Sequence, residues 1–127
     1  MLYKVVVDER MFRWLMLGWA TRLVRPRIGA WINVQAGDKL CVSSMGAHDA
    51  IVLRIVTVTY GARLADTIDD SNYLRACPQA SSADSARRSI ANSLFDNRLL
   101  TEVREYVAIE LVLPTYSGEE RAASSLM

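Results

Sequence analysis

The chain has 127 residues, a formal net charge of +1 and 51% apolar content. The length suits one core rather than two, the composition excludes a disordered polymer, and the near-neutral charge excludes a protein drawn by its global field to nucleic acid or membrane.

Leu2–Val7 is apolar and β-branched and predicts a strand. Asp8 is a good N-cap with Glu9 in the first turn, and Met11, Phe12, Leu15 and Met16 give a helical stripe that Trp14 and Leu17 widen. Gly18 stops this helix as a left-handed cap. Ala20–Arg25 predicts a second strand, with Thr21, Leu23 and Arg25 on one face and Ala20, Arg22 and Val24 on the other. Pro26 ends it or places it at an edge. Ile28–Ala36 reads as irregular, with Trp31 and Ile32 tucked under the sheet. Gly37-Asp38 turns into a strand at Lys39–Ser43, in which Cys41 is expected to be buried, and Met45–Asp49 is the next turn.

Ile51–Tyr60 is the longest β-branched run. Leu64–Ile68 predicts one helical turn, Asp69–Ser82 a polar loop. Ser82 or Asp84 then caps a helix to about Phe95, with Ala86, Ile90, Leu94 and Phe95 facing inward. Tyr106–Leu113 is the closing strand, and 115–127 a small-residue, polar tail. This mixture predicts a single α+β domain over 1–114: a small curved β-sheet or β-barrel of about five to six strands with two or three short helices.

Two cysteines and one histidine fall short of the about four ligands a structural zinc site needs. Asp66, Asp69 and Asp70 lack the ligand spacing of a calcium loop and read as a solvated acidic loop. No metal and no cofactor is implied. Without a disulfide framework the expected compartment is reducing and cytoplasmic. The first residues lack the layout of a signal peptide, and no apolar run is long enough for a membrane span. Ser43 or Ser44 with His48 and Asp49 could be written as a triad, but adjacent residues do not give base–orienter geometry.

The order of short helix, Gly18-Trp19-Ala20-Thr21-Arg22-Leu23-Val24-Arg25, Gly37-Asp38, two long strands and Val107-Ala108-Ile109-Glu110-Leu111 resembles the ASCH domains, small β-barrels of the PUA-like group. Their signature is G-x-K-x-x-E-x-R. Gly18 and Arg25 keep the frame, Ala20 stands at the Lys and Leu23 at the Glu. Tyr60 falls where the family often places an aromatic. The resemblance implies binding of RNA or nucleotides beside the signature strand. In the amidohydrolases of the family it implies chemistry by a Lys, a Thr and a downstream Glu. Here the Lys and Thr positions are Ala20 and Leu23, which carry no proton or nucleophile.

The expectation is therefore a non-catalytic binding module for RNA, single-stranded nucleic acid, a nucleotide or a protein partner, with a homodimer as a further option. The alternative is a hydrolase on modified nucleosides or an RNA nuclease. The ligand-binding candidates are Trp19, Thr21, Arg22, Arg25, Arg27 and Tyr60. The first 31 residues carry six cations against Asp8 and Glu9. Trp14 and Trp31 read as core, and Trp19 as an exposed ring for base stacking or partner docking.

Overall fold

A computed structural model describes residues 1–46, 49–94 and 105–113. Among these residues five strands form one curled sheet, half of a barrel: β1 (Leu2–Val7), β2 (Arg22–Pro26), β3 (Lys39–Ser44), β4 (Ala50–Gly61) and β5 (Tyr106–Val112). Their order is β1-β3-β4-β5-β2, with β1 parallel to β3 and the other pairs antiparallel. The edges are thus β1 and β2. Among the described residues four helices accompany the sheet: α1 (Glu9–Leu17), α2 (Leu64–Thr67), α3 (Tyr73–Ala76) and α4 (Ala83–Leu94), besides a 3-10 segment at Gly29–Asn33.

Alternation along the strands gives the sheet two apolar faces. Val5, Val7, Leu40, Val42, Leu53, Ile55, Val107 and Ile109 fill the inside of the curl, where Phe12, Trp14 and Leu15 of α1 close over them. Val24 and Ala108 point outward and are covered by Ile68, Ala76 and Ala86 from the α2–α4 region. A bulge between Ile55 and Thr57 shifts the register of β4, so that Val58 rather than Thr57 rejoins the inner core. Gly61 ends β4 where space is short: a Cβ there would collide with the Asp66 side chain of α2.

Asp8 caps α1 as expected, its carboxylate accepting from the Met11 N–H at 2.7 Å. Gly18 ends the helix with φ 76°, a conformation that costs glycine little. The inward stripe is narrower than the sequence predicts. Phe12, Trp14 and Leu15 are buried, but Met16 and Leu17 are exposed. At 100° per residue, a stripe centred between Trp14 and Phe12 leaves both outside it.

Strand β2 starts two residues later than predicted. The N–H groups of Trp19 and Ala20 both donate to Trp14 C=O, and that of Thr21 to Arg75 C=O. These residues therefore still belong to the turn. Leu23 and Arg25 share the inner face and Arg22 and Val24 the outer one, as alternation requires. Ala20 joins the inner core instead, and Thr21 turns outward with Arg22.

Three further expectations are corrected. Trp31 is half-buried, stacked on Tyr3 with centroids 5.7 Å apart, but Ile32 is exposed. Cys41 is half-buried, because it lies on the outer face of β3 away from the core. The Asp69–Ser82 loop contains α3, a helix too short to show a period. Leu94's side chain, Phe95, His48 and the 115–127 tail lie outside the described residues.

Candidate ligand cleft

The two edge strands do not pair with each other, and a cleft of about 500 Å³ lies along that seam. Val6 and Val7 of β1 stand on one side and Leu23, Val24 and Arg25 of β2 on the other; Met11 and Trp14 of α1, with Ile90 of α4, complete the apolar wall. Arg10, Ser89 and Ser93 supply polar groups, and Asp8, committed to its cap, is the carboxylate in the lining.

Arg25 lines the cleft from β2. Its guanidinium sits 5.9 Å from the Trp31 ring centroid, a cation–π contact that orients it without neutralising it. Among the described residues it has no hydrogen-bond or carboxylate partner, and its Nε is buried and unsatisfied. Burial pulls its pKa below the usual arginine range, yet an arginine remains a cation at neutral pH. Arg25 is half-buried; a partly desolvated cation without a counter-charge carries a cost, and an anion entering the seam would offset it.

Arg22 also reaches the cleft lining but is already engaged. It is 6% exposed, its Nε donates to Thr67 C=O at 2.9 Å, and its Nη1 meets Glu110 at 2.9 Å. The Thr21 hydroxyl donates to the other oxygen of Glu110 at 3.2 Å, and Arg75 stands 3.7 Å away. Sequence reasoning overlooked Glu110. The signal was there: one carboxylate in a closing strand of apolar residues needs a buried cation opposite it.

Arg27 and Tyr60 form a separate group at the far end of β2. Arg27 lies 4.1 Å over the Tyr60 ring, pairs with Glu105 at 2.8 Å and donates to Ile32 C=O. The Glu105 bond raises its pKa. Tyr60 donates to Val34 C=O at 3.1 Å. Trp19 is 62% exposed, matching the sequence reading. It lines a shallow groove with Glu9, Arg10, Arg13, Leu17 and Gln79, which shares Asp8, Arg10 and Trp14 with the seam cleft. The six candidates thus fall into four places rather than one groove.

Among the described residues no three His, Cys, Asp or Glu side chains converge as metal ligands. Asp66 and Asp69 are spent on local turns. The N–H of Arg63 bonds Asp66, and the hydroxyl and N–H of Ser71 bond Asp69, holding both carboxyls below their usual range. Among the described residues, no helix is long and apolar enough to cross a membrane.

No family model and no curated protein matches the chain. Two solved structures share its fold. The crystal structure of hypothetical protein PH0355 superposes with a TM-score of 0.71 at 13% identity, covering 87% of this chain and 97% of that one. The solution structure of protein PF0455 from Pyrococcus furiosus gives 0.63 at 15% identity, covering 91% and 100%.

Proposed function

We propose that the protein is a non-catalytic, ASCH-like binding module that takes the phosphate of a nucleotide or single-stranded RNA in the seam cleft. The observation that carries this reading is Arg25: Arg22 and Arg27 are matched by Glu110 and Glu105, while Arg25 lines the cleft without a counter-charge among the described residues. Arg10 at the rim adds a second cation, and Trp19 in the adjoining groove offers a ring on which a neighbouring base stacks. The absence of chemistry is supported by Ala20 and Leu23. At 2% and 6% exposure, the positions that match the family's Lys and Thr are apolar core residues that carry neither a proton to transfer nor a nucleophile.

Filter binding of oligouridylate across several salt concentrations tests the reading. Each neutralised phosphate contributes a slope of roughly −0.7 on single strands, so Arg25→Gln lowers affinity and flattens the slope, whereas Arg27→Gln leaves both nearly unchanged. Equal losses for the two variants contradict it.

One observation favours a hydrolase instead. Thr21 and Glu110 are 3.2 Å apart, within reach of a hydroxyl–base pair. Against it, the Glu110 carboxylate is already ion-paired with Arg22, and Arg75 stands beside it. Turnover of acetylcytidine that vanishes in a folded Glu110→Gln variant would establish the hydrolase.

A further inference from the structure

The outer face of the sheet is covered by α2–α4 only over β2, β5 and the end of β4. The outward positions of β1, β3 and the start of β4 carry no described element. In register they form three rows: Leu2, Lys39 and Arg54; Lys4, Cys41 and Val52; Val6, Ser43 and Ala50.

Two properties of this grid stand out. Lys4, Lys39 and Arg54 are exposed and, among the described residues, make no ion pair or hydrogen bond. Lys39 and Arg54 are direct cross-strand partners, an arrangement of like charges that destabilises a sheet. No carboxylate occupies any of the nine positions. The neighbouring Asp38 is turned elsewhere, held by the Gln35 N–H and the Met1 amino group. Between the cations lie exposed Leu2, Val6 and Val52.

Among the described residues the edge of β1 is open as well. Lys39 N–H donates to Met1 C=O and Met45 N–H to Val7 C=O. The odd-numbered peptide groups of β1 therefore face β3. Those of Leu2, Lys4 and Val6 point off the sheet, since successive peptide groups alternate sides.

We propose that this face and edge receive an extended segment of a protein partner in which acidic and apolar side chains alternate. Such a segment adds as a strand beside β1. Its backbone meets the free peptide groups of Leu2, Lys4 and Val6. Its carboxylates offset Lys4 and Lys39, and its apolar side chains cover Leu2 and reach as far as Val6, where the edge of β1 borders the seam cleft. A second copy of this chain is the wrong occupant, because pairing β1 with itself about Lys4 sets lysine against lysine. Nucleic acid fits the cations but places a charged backbone on Leu2, Val6 and Val52, on a face without an aromatic ring for stacking.

The test is fluorescence anisotropy with a labelled, acetylated octapeptide of alternating valine and glutamate. A valine–lysine octapeptide and oligouridylate serve as comparison probes. The glutamate peptide binds and the lysine peptide does not. Lys4→Glu together with Lys39→Glu weakens binding on the order of ten-fold, and Arg27→Gln, a cation already paired with Glu105, leaves it unchanged. All three cations are exposed, so circular dichroism of the variants stays that of the parent. Equal binding of both peptides, or no response to charge reversal, overturns the proposal. Oligouridylate binding lost on the same charge reversals, with none of the peptide, reassigns the face to nucleic acid. Arg25-dependent binding of the peptide would place it in the seam cleft instead.

Discussion

Arg22 and Glu110 stand directly opposite each other across the β2–β5 ladder, and their guanidinium and carboxylate meet at 2.9 Å in a largely buried setting. Glu110 also anchors Thr21 and Arg75, so one carboxylate ties the entry of β2 to the α3 turn. Its Glu110→Ala variant leaves Arg22 buried without its counter-charge, at an expected loss of about 3–5 kcal/mol. Arg22→Met combined with Glu110→Leu recovers most of that loss. Urea titration of the single and double variants checks this. A single-variant loss below about 1 kcal/mol, the range of exposed pairs, would show that water reaches the pair.

Gly61 marks where β4 must make room for α2. In Gly61→Ala the added Cβ meets the Asp66 side chain and lies close to Arg63 C=O and Thr67 Cγ2. The expected cost is about 1–3 kcal/mol, as for other insertions into filled space. Thermal unfolding of the variant reads it, and an unchanged midpoint would mean that α2 yields freely.

The strands were legible because their signals are local. The β-branched run at Ile51–Tyr60 and the alternation at Tyr106–Leu113 each need only a half-buried sheet to explain them. The Asp8 and Gly18 caps were legible for the same reason, since each acts within one helical turn. What stayed hidden depends on tertiary placement. Arg22 looks like a surface cation until Glu110, 88 residues away, comes to lie opposite it. Thr21 and Ala20 break the predicted alternation because Trp14 C=O and Arg75 C=O hold the turn open past Gly18. Helix α3 is four residues long and is fixed by an Asp69–Asn72 turn rather than by a period. The seam cleft arises from which strands end at the sheet edges, and no motif encodes that.

Asp38 makes stability depend on acid pH. The Gln35 N–H, against an opposing effect of burial, together with the Met1 amino group holds its carboxyl below the usual range. Its folded pKa lies below the unfolded one, so between the two the unfolded chain binds more protons. The contribution is complete above the unfolded value of about 4 and is lost as pH falls through the folded value. Asp66 and Asp69 act in the same direction. Melting temperatures recorded down through that window should fall less steeply for Asp38→Asn than for the parent. Parallel curves would mean that Asp38 is not linked to folding.

The central claim is that ligand enters the seam between β1 and β2 and meets Arg25. Amide NMR shifts on titrating a short oligouridylate into the labelled protein test it most directly. The account predicts shifts concentrated at Met11, Leu23, Val24, Arg25 and Ile90, extending to Trp19 as the oligonucleotide lengthens, and abolished by Arg25→Gln. Shifts confined to Lys4, Lys39 and Arg54, or none at saturating ligand, would contradict it.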